Sequence, residues 1–114
     1  MHIQRHGTTR RYSDSVVHNG TVYLVEVPSN PDGDIAAQTG NLLASFDNLL
    51  AQVGSDKCRL LMVTVYLAEM ADYDGMNAVW DAWIPDGHAP TRACVQARLA
   101  NPAWRVEMAV TAAL

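Results

Sequence analysis

At 114 residues the chain is long enough for one domain around one hydrophobic core. Hydrophobic residues make up 49% and charged residues 18%, the balance of a water-soluble globular protein, and no apolar run approaches the length of a membrane span. A net charge of −4 and a pI near 5.3, with basic residues scattered apart from Arg10 and Arg11, argue against a nucleic-acid-binding face, which leans on clustered Lys and Arg.

The opening "MHIQRHGTTRRY" lacks the apolar core of a signal peptide, and two cysteines, Cys58 and Cys94, fall short of a disulfide framework. A reduced, cytoplasmic protein is the expectation. After a short N-terminal strand, "SVVHNGTVYLVEV" at 15–27 reads as a hairpin, because Asn19-Gly20 supplies the positive φ that a tight two-residue turn requires. Pro28 and "PSNPDGD" end the second strand in a loop.

From Asp34 to Val53 the apolar period becomes helical, with Ile35, Thr39, Leu42, Leu43, Phe46, Leu49, Leu50 and Val53 on one stripe. Asp32 or Asp34 suits the N-cap and Gly54 the C-terminal stop, while Gly40 weakens the helix by roughly 1 kcal/mol relative to Ala. "LLMVTVYLA" at 60–68 is a strand covered on at least one face. Asp72 opens a second helix to about Ile84, with Met76, Val79, Trp80 and Trp83 as its apolar face, and Pro85 and Gly87 stop it. Strands follow at 91–99 and 105–113, joined by a short connection containing Asn101 and Pro102.

This order predicts an α+β fold, a mixed sheet with two helices on one face. The other face then holds residues such as Val63, Val65, Cys94 and Ala109, too apolar for solvent, so oligomerisation through it is expected.

The last two strands carry the chemistry. Alternation puts Arg92, Cys94, Gln96 and Arg98 on one face of the first strand, and Glu107, Ala109 and Thr111 on one face of the second. The remaining, more apolar sets should meet the helices, leaving Arg92, Cys94 and Glu107 on the uncovered face. In a symmetric hairpin Arg98 lies near Arg105, Gln96 faces Glu107, and Arg92 faces about Thr111. Arg92 and Glu107 are then some four residues apart, roughly 13 Å, too far to pair within one chain. From the residues alone, solvated or partner-paired charges are the simpler reading.

Other groups are weaker still. His88 is a loop histidine, and His2, His6 and His18 show no metal-ligand spacing with each other or with the cysteines. Trp80 and Trp83 fit a packing face, and Asp72, Asp74 and Asp81 fit a cap and solvated charges. "GDIAAQTG" lacks the lysine and spacing of a phosphate loop, and no Ser-His-Asp elbow is present. Cys94 has no histidine nearby to activate it and reads as a small packing residue.

The ending "PTRACVQARLANPAWRVEMAVTAAL" nevertheless resembles the Rid family signature Pro-x-Arg-x-Cys-Val…Leu…Val/Ile-Glu. This family is YjgF-type, includes RutC-like members, and is also described as endoribonuclease L-PSP-like. The resemblance covers nearly the whole chain. "NGTVYLVEVPSN" matches the hairpin, "QTGNLLASFDNLLAQVGSDK" the first helix, "VTVYLAEMADYDGMNAVWDAW" the next strand and helix, and Tyr12 an early tyrosine. A short-chain, RutC-like branch is the nearest in character.

The resemblance implies a chorismate-mutase-like fold assembled as a homotrimer, with the sheets lining a central barrel and three clefts between subunits. It implies hydrolysis of small reactive imines or enamines, such as 2-aminoacrylate, to 2-keto acids and ammonia. Arg92 would anchor the substrate carboxylate and Glu107 would activate water. The Cys94 backbone would orient that water, and Tyr12 and Asn77 would support the substrate. No metal or organic cofactor is implied, and no membrane partner. The alternative is a non-enzymatic trimer that binds a small carboxylate or acts as a regulator. RNA cleavage has the family's name behind it as a third reading, but the acidic chain shows no basic stripe or aromatic stacking run.

One departure stands out. Many deaminating members carry Ser-Gly-Gln before the proline, whereas this chain has Leu24-Val25-Glu26-Val27-Pro28. A narrower cleft with Glu26 near it is expected. Arg10-Arg11-Tyr12 likewise replaces the Gly-Pro-Tyr of many members.

Overall fold

The structure, a computed structural model, describes residues 2–114. Six strands and two helices are present: β1 (Gln4–His6), β2 (Ser15–His18), β3 (Thr21–Glu26), α1 (Ile35–Gln52), β4 (Leu60–Leu67), α2 (Tyr73–Trp83), β5 (Thr91–Gln96) and β6 (Val106–Ala113). The strands form one sheet in the order β1-β2-β3-β6-β4-β5, antiparallel throughout except for the parallel pair β4–β5. No helix among the described residues is long and apolar enough to cross a membrane.

Local chemistry explains the boundaries. Asn19 and Gly20 take φ values of 53° and 75°, so the β2–β3 turn is the tight hairpin expected from the sequence. Asp34, rather than Asp32, caps α1, accepting from the Ala37 amide at 2.9 Å. Gly54, at φ 81°, follows the helix where a left-handed residue ends it.

Both helices cover one sheet face. Leu42, Leu43, Phe46 and Leu50 of α1 and Met76 and Trp80 of α2 close over the inward rows of β3, β4 and β6, including Leu24, Val63, Val65, Met108 and Val110. Burying this apolar surface drives the fold, at about 25 cal/mol per Å².

The final strands depart from the expected hairpin. β5 ends at Gln96 and runs parallel beside β4, with Thr91 opposite Met62, while β6 lies between β3 and β4. A strand–helix–strand succession returns the chain parallel, so β4–α2–β5 is one crossover unit and residues 97–105 carry the chain across to β6.

Two face assignments change with it. Val63 and Val65 are fully buried under the helices, not on the open face. A bulge between Leu60 and Met62 resets the alternation of β4, and a strand apolar on both sides hides that shift from the sequence. Arg92 pairs in register with buried Val63 and Cys94 with buried Val65, so both point to the helix side. Glu107, Ala109 and Thr111 do lie on the open face, alternating with buried Val106, Met108 and Val110.

That face is apolar, as expected, through Ala109 and through residues other than Val63, Val65 and Cys94. Tyr23, Val25, Met62 and Val95 are each 43–54% exposed, and Tyr23, Thr111 and Met62 form one row across three strands.

Candidate functional site

Tyr12, Glu26 and Glu107 converge on one cleft of about 480 Å³ at the end of the sheet, with Asp14 and Trp104 completing its walls. Glu26 is the last residue of β3, opposite Met108, and Glu107 is the second residue of β6. Tyr12 is 63% exposed on the loop between β1 and β2. That loop is held locally: the Thr9 amide donates to the Tyr12 carbonyl at 2.7 Å and the Asp14 amide to the His6 carbonyl at 2.9 Å. Gly7, at φ 63°, lets the backbone pass Asp14, because a Cβ there would overlap the Asp14 carboxylate.

The wall that carries Trp104 is fixed from below by Gln38, whose side chain is buried in α1. Its Nε2 donates to the carbonyls of Pro31 at 2.7 Å and Ala103 at 2.9 Å, and its Oε1 accepts from the Arg105 amide at 2.8 Å. One side chain thus ties α1 to the loop before it and to the segment leading into Glu107. The Arg105 guanidinium reaches Asp72 at 3.5 Å, the one ion pair among the described residues.

Three carboxylates, Asp14, Glu26 and Glu107, line the cleft, and no Lys, Arg or His does. Burial, and next the Asp14 carboxylate, push the Glu26 pKa above its ordinary 4.5, against a smaller lowering by the Val27 amide. Among the described residues no group of three His, Cys, Asp or Glu side chains is placed to hold a metal ion.

Arg92, Cys94 and Asn77 form a second cluster beyond the reach of this cleft. Arg92 Nη2 donates to Asn77 Oδ1 at 2.7 Å, Nη1 lies 3.8 Å from Met76 Sδ, and the guanidinium stands 5.2 Å over the Trp80 ring. This cation is half-buried and has no carboxylate within 4.0 Å among the described residues. Trp80 is in turn 5.5 Å from Trp83, whose Nε1 donates to Asp47 at 3.1 Å.

Cys94 packs against the core. Burial pushes its thiol pKa up, with the Arg92 charge pulling the other way, so it is no activated nucleophile. His88 stays in an exposed turn beside the Asp86 carbonyl.

The chain therefore brings Tyr12, Glu26 and Glu107 together and keeps Arg92, Asn77 and Cys94 apart from them. The first group holds carboxylates and a phenol hydroxyl, and the second a guanidinium with an amide and a thiol. Gln38 and Trp104 are missing from the residues picked out by sequence. A glutamine on the apolar stripe of a helix and a tryptophan in a short connection were the signals available.

The endoribonuclease L-PSP family model matches residues 2–114. The chain is 46% identical over 114 residues to the RutC family protein YoaB of Escherichia coli (strain K12), covering 100% of both. A crystal structure of a YjgF family member from Neisseria meningitidis superposes with a TM-score of 0.96 at 50% identity, over 99% of this chain and 95% of that one. A 3-aminoacrylate deaminase, RutC of Acinetobacter baylyi, is 32% identical over 80 residues, 70% of this chain and 63% of that protein.

Proposed function

The chain belongs to the endoribonuclease L-PSP family, the family of the YjgF and RutC proteins, and from that premise we propose that it hydrolyses small imine or enamine metabolites. The products are a 2-keto acid and ammonia, and the reaction runs at clefts between the protomers of a homotrimer. The observation that carries this reading is the Arg92 guanidinium, half-buried, aimed by Asn77 and Trp80, and with no carboxylate within 4.0 Å among the described residues. Such a cation is a receiver for an external carboxylate, which its planar fork binds through two parallel hydrogen bonds. The Acinetobacter relative, a 3-aminoacrylate deaminase, supports the reaction class.

In the proposed site Arg92 of one protomer approaches the Tyr12–Glu26–Glu107 cleft of the next and holds the substrate carboxylate there. Glu107 takes a proton from a water as that water adds to the C=N carbon. The carbinolamine collapses once its nitrogen has gained a proton, releasing ammonia and leaving a C=O where the C=N stood. The backbone at Cys94 orients the water, Tyr12 hydrogen-bonds the substrate, and Asn77 holds the guanidinium. An imine is electrophilic already, so the proposed step needs no cofactor.

RNA cleavage is disfavoured, because a −4 chain with three carboxylates lining its cleft would repel phosphates. A second reading, carboxylate binding without turnover, is favoured by Glu26, which lines the cleft.

The test follows a 2-imino acid made in situ by an amino-acid oxidase. Wild-type protein accelerates its loss, and Arg92→Ala and Glu107→Gln abolish the acceleration. Equal rates with wild type, variants and no protein would overturn the hydrolase reading, and calorimetric binding of a 2-keto acid alongside that null would establish the second.

A further inference from the structure

Glu107 borders two cavities. Beside the cleft already described lies another of about 330 Å³, whose other polar lining groups are Tyr66 and Arg98, the rest of its wall being aliphatic. Tyr66 stands directly opposite Glu107 in the antiparallel pair of β4 and β6. It alternates with buried Val65 and Leu67, so its half-buried ring lies on the open face that Glu107 shares. The bulge that turns Val63 and Val65 inwards thus turns Tyr66 outwards. Side chains directly opposite in such a pair have Cβ atoms about 4.5–5.5 Å apart, within contact reach of an aromatic ring and a long carboxylate.

The proposed hydrolysis leaves one role unfilled. Glu107 takes a proton from water, but the substrate nitrogen must gain a proton before ammonia can leave. The guanidinium groups of Arg92 and Arg98 do not give theirs up. Among the described residues lining this cavity, Tyr66 is the one side chain besides Glu107 that can both give and regain a proton. Tyr12 lies outside the strands, on a loop where it is 63% exposed, and no strand pairing holds it against Glu107.

We propose that Tyr66 is the proton donor of the reaction, recharged by Glu107. This inference rests on the reading of Glu107 as the base that activates water. In the first step the water oxygen bonds to the imine carbon while the C=N π pair moves to nitrogen. Glu107 takes the water proton, and the nitrogen takes the phenol proton of Tyr66. The Tyr66 phenolate then regains a proton from the Glu107 carboxyl across the strand pair, which returns both side chains to their starting forms. Arg98, the cation lining the same cavity, attracts the transient phenolate.

The second round uses the same pair. Tyr66 protonates the amino nitrogen, Glu107 takes the proton of the carbinolamine hydroxyl, the C–N bond breaks and the C=O bond forms. The same return transfer from Glu107 to Tyr66 follows. One water is consumed and one ammonia released, and nothing is oxidised or reduced.

The test follows the imino acid formed in situ from alanine by an amino-acid oxidase, and separately the calorimetric binding of pyruvate. Tyr66→Phe keeps the ring and its packing but removes the proton. It should lower kcat on the order of a hundredfold, the range of one general acid, while pyruvate binds within about twofold of wild type. Mono- and difluorotyrosine placed at position 66 keep the hydroxyl and make it more acidic. At a pH where all remain protonated, kcat should rise with fluorination, a response that a merely structural hydroxyl would not give.

An active wild type with Tyr66→Phe at full kcat, or with kcat and pyruvate affinity lost together, overturns the relay and leaves the hydrolase reading standing. A wild type that does not speed loss of the imino acid overturns both. Should Tyr66→Phe not fold, the fluorinated proteins decide, and a kcat indifferent to fluorination overturns the relay.

Discussion

Arg92 and Glu107 project from opposite faces of the same sheet. Arg92 shares a row with Val63 and Val110, three residues along β6 from Glu107, and β4 separates their strands. At about 3.3 Å per residue and 4.8 Å per strand their Cα atoms are roughly 14 Å apart, with the sheet between their side chains. One chain therefore cannot use both on one small substrate.

A direct prediction is complementation between inactive variants. If each cleft takes Arg92 from one protomer and Glu107 from its neighbour, Arg92→Ala and Glu107→Gln trimers are dead separately and active once mixed and reassembled. Each cleft draws its two residues independently, so about a quarter of the clefts in a one-to-one mixture are intact and about a quarter of wild-type activity should return. The assay is deaminase rate after joint refolding, and no recovery in trimers shown to be mixed would refute the shared cleft.

Gln38 makes a prediction about the cleft wall. Replacing it with leucine keeps the volume but leaves the Pro31 and Ala103 carbonyls without their donor and the Arg105 amide without its acceptor. Fully buried unsatisfied groups cost about 1–3 kcal/mol each, and these bonds are only part-buried, so Gln38→Leu should lose roughly 1–2 kcal/mol in urea denaturation at fixed protein concentration. Because Arg105 leads into Glu107, kcat should fall more than KM changes. A variant as stable and as active as wild type would show that the wall is held otherwise.

The order of elements, the tight hairpin and the first helix were legible because each has a short-range cause: Asn19-Gly20, the Asp34 cap, a regular apolar stripe. What misled was long-range. Treating β5 and β6 as a hairpin placed Arg92 with Glu107, and only the β4–α2–β5 crossover, a relation between distant segments, moves Arg92 to the helix side. Val63 and Val65 were misplaced by a one-residue bulge that no alternation in an all-apolar strand reveals. The grouping of Tyr12, Glu26 and Glu107 joins the two ends of the chain and was visible only through the family resemblance.

Glu26 makes stability depend on pH in a known direction. Its pKa in the folded protein lies above the ordinary 4.5, so the folded state holds that proton more tightly than the unfolded chain. Its contribution is fully present below pH 4.5 and is lost as pH rises through the raised folded value. Glu26→Gln lacks this loss. The denaturation midpoint of Glu26→Gln should therefore rise relative to wild type between acidic and neutral pH, and level off above the raised value. A difference independent of pH, or one that shrinks on going from acid to neutral, would contradict the burial of an uncompensated carboxyl.

The open face gives the last prediction. Tyr23, Val25, Met62 and Val95 expose 43–54% of their surface on one side of the sheet, a contiguous apolar area that water disfavours and that a second copy of the sheet would cover. Met62 sits in a row with Thr111 and Tyr23, so a charge there would be buried by association but stays solvated in the monomer. Met62→Asp should leave the helix-side core intact, since Met62 takes no part in it. In sedimentation equilibrium the wild type should weigh about three times the 12.5 kDa chain and Met62→Asp about one chain, with far-ultraviolet circular dichroism unchanged. The variant should also lose deaminase activity, because its clefts no longer receive a neighbour's Arg92. A monomeric wild type, or a Met62→Asp protein that stays trimeric, would remove the open face as the assembly surface.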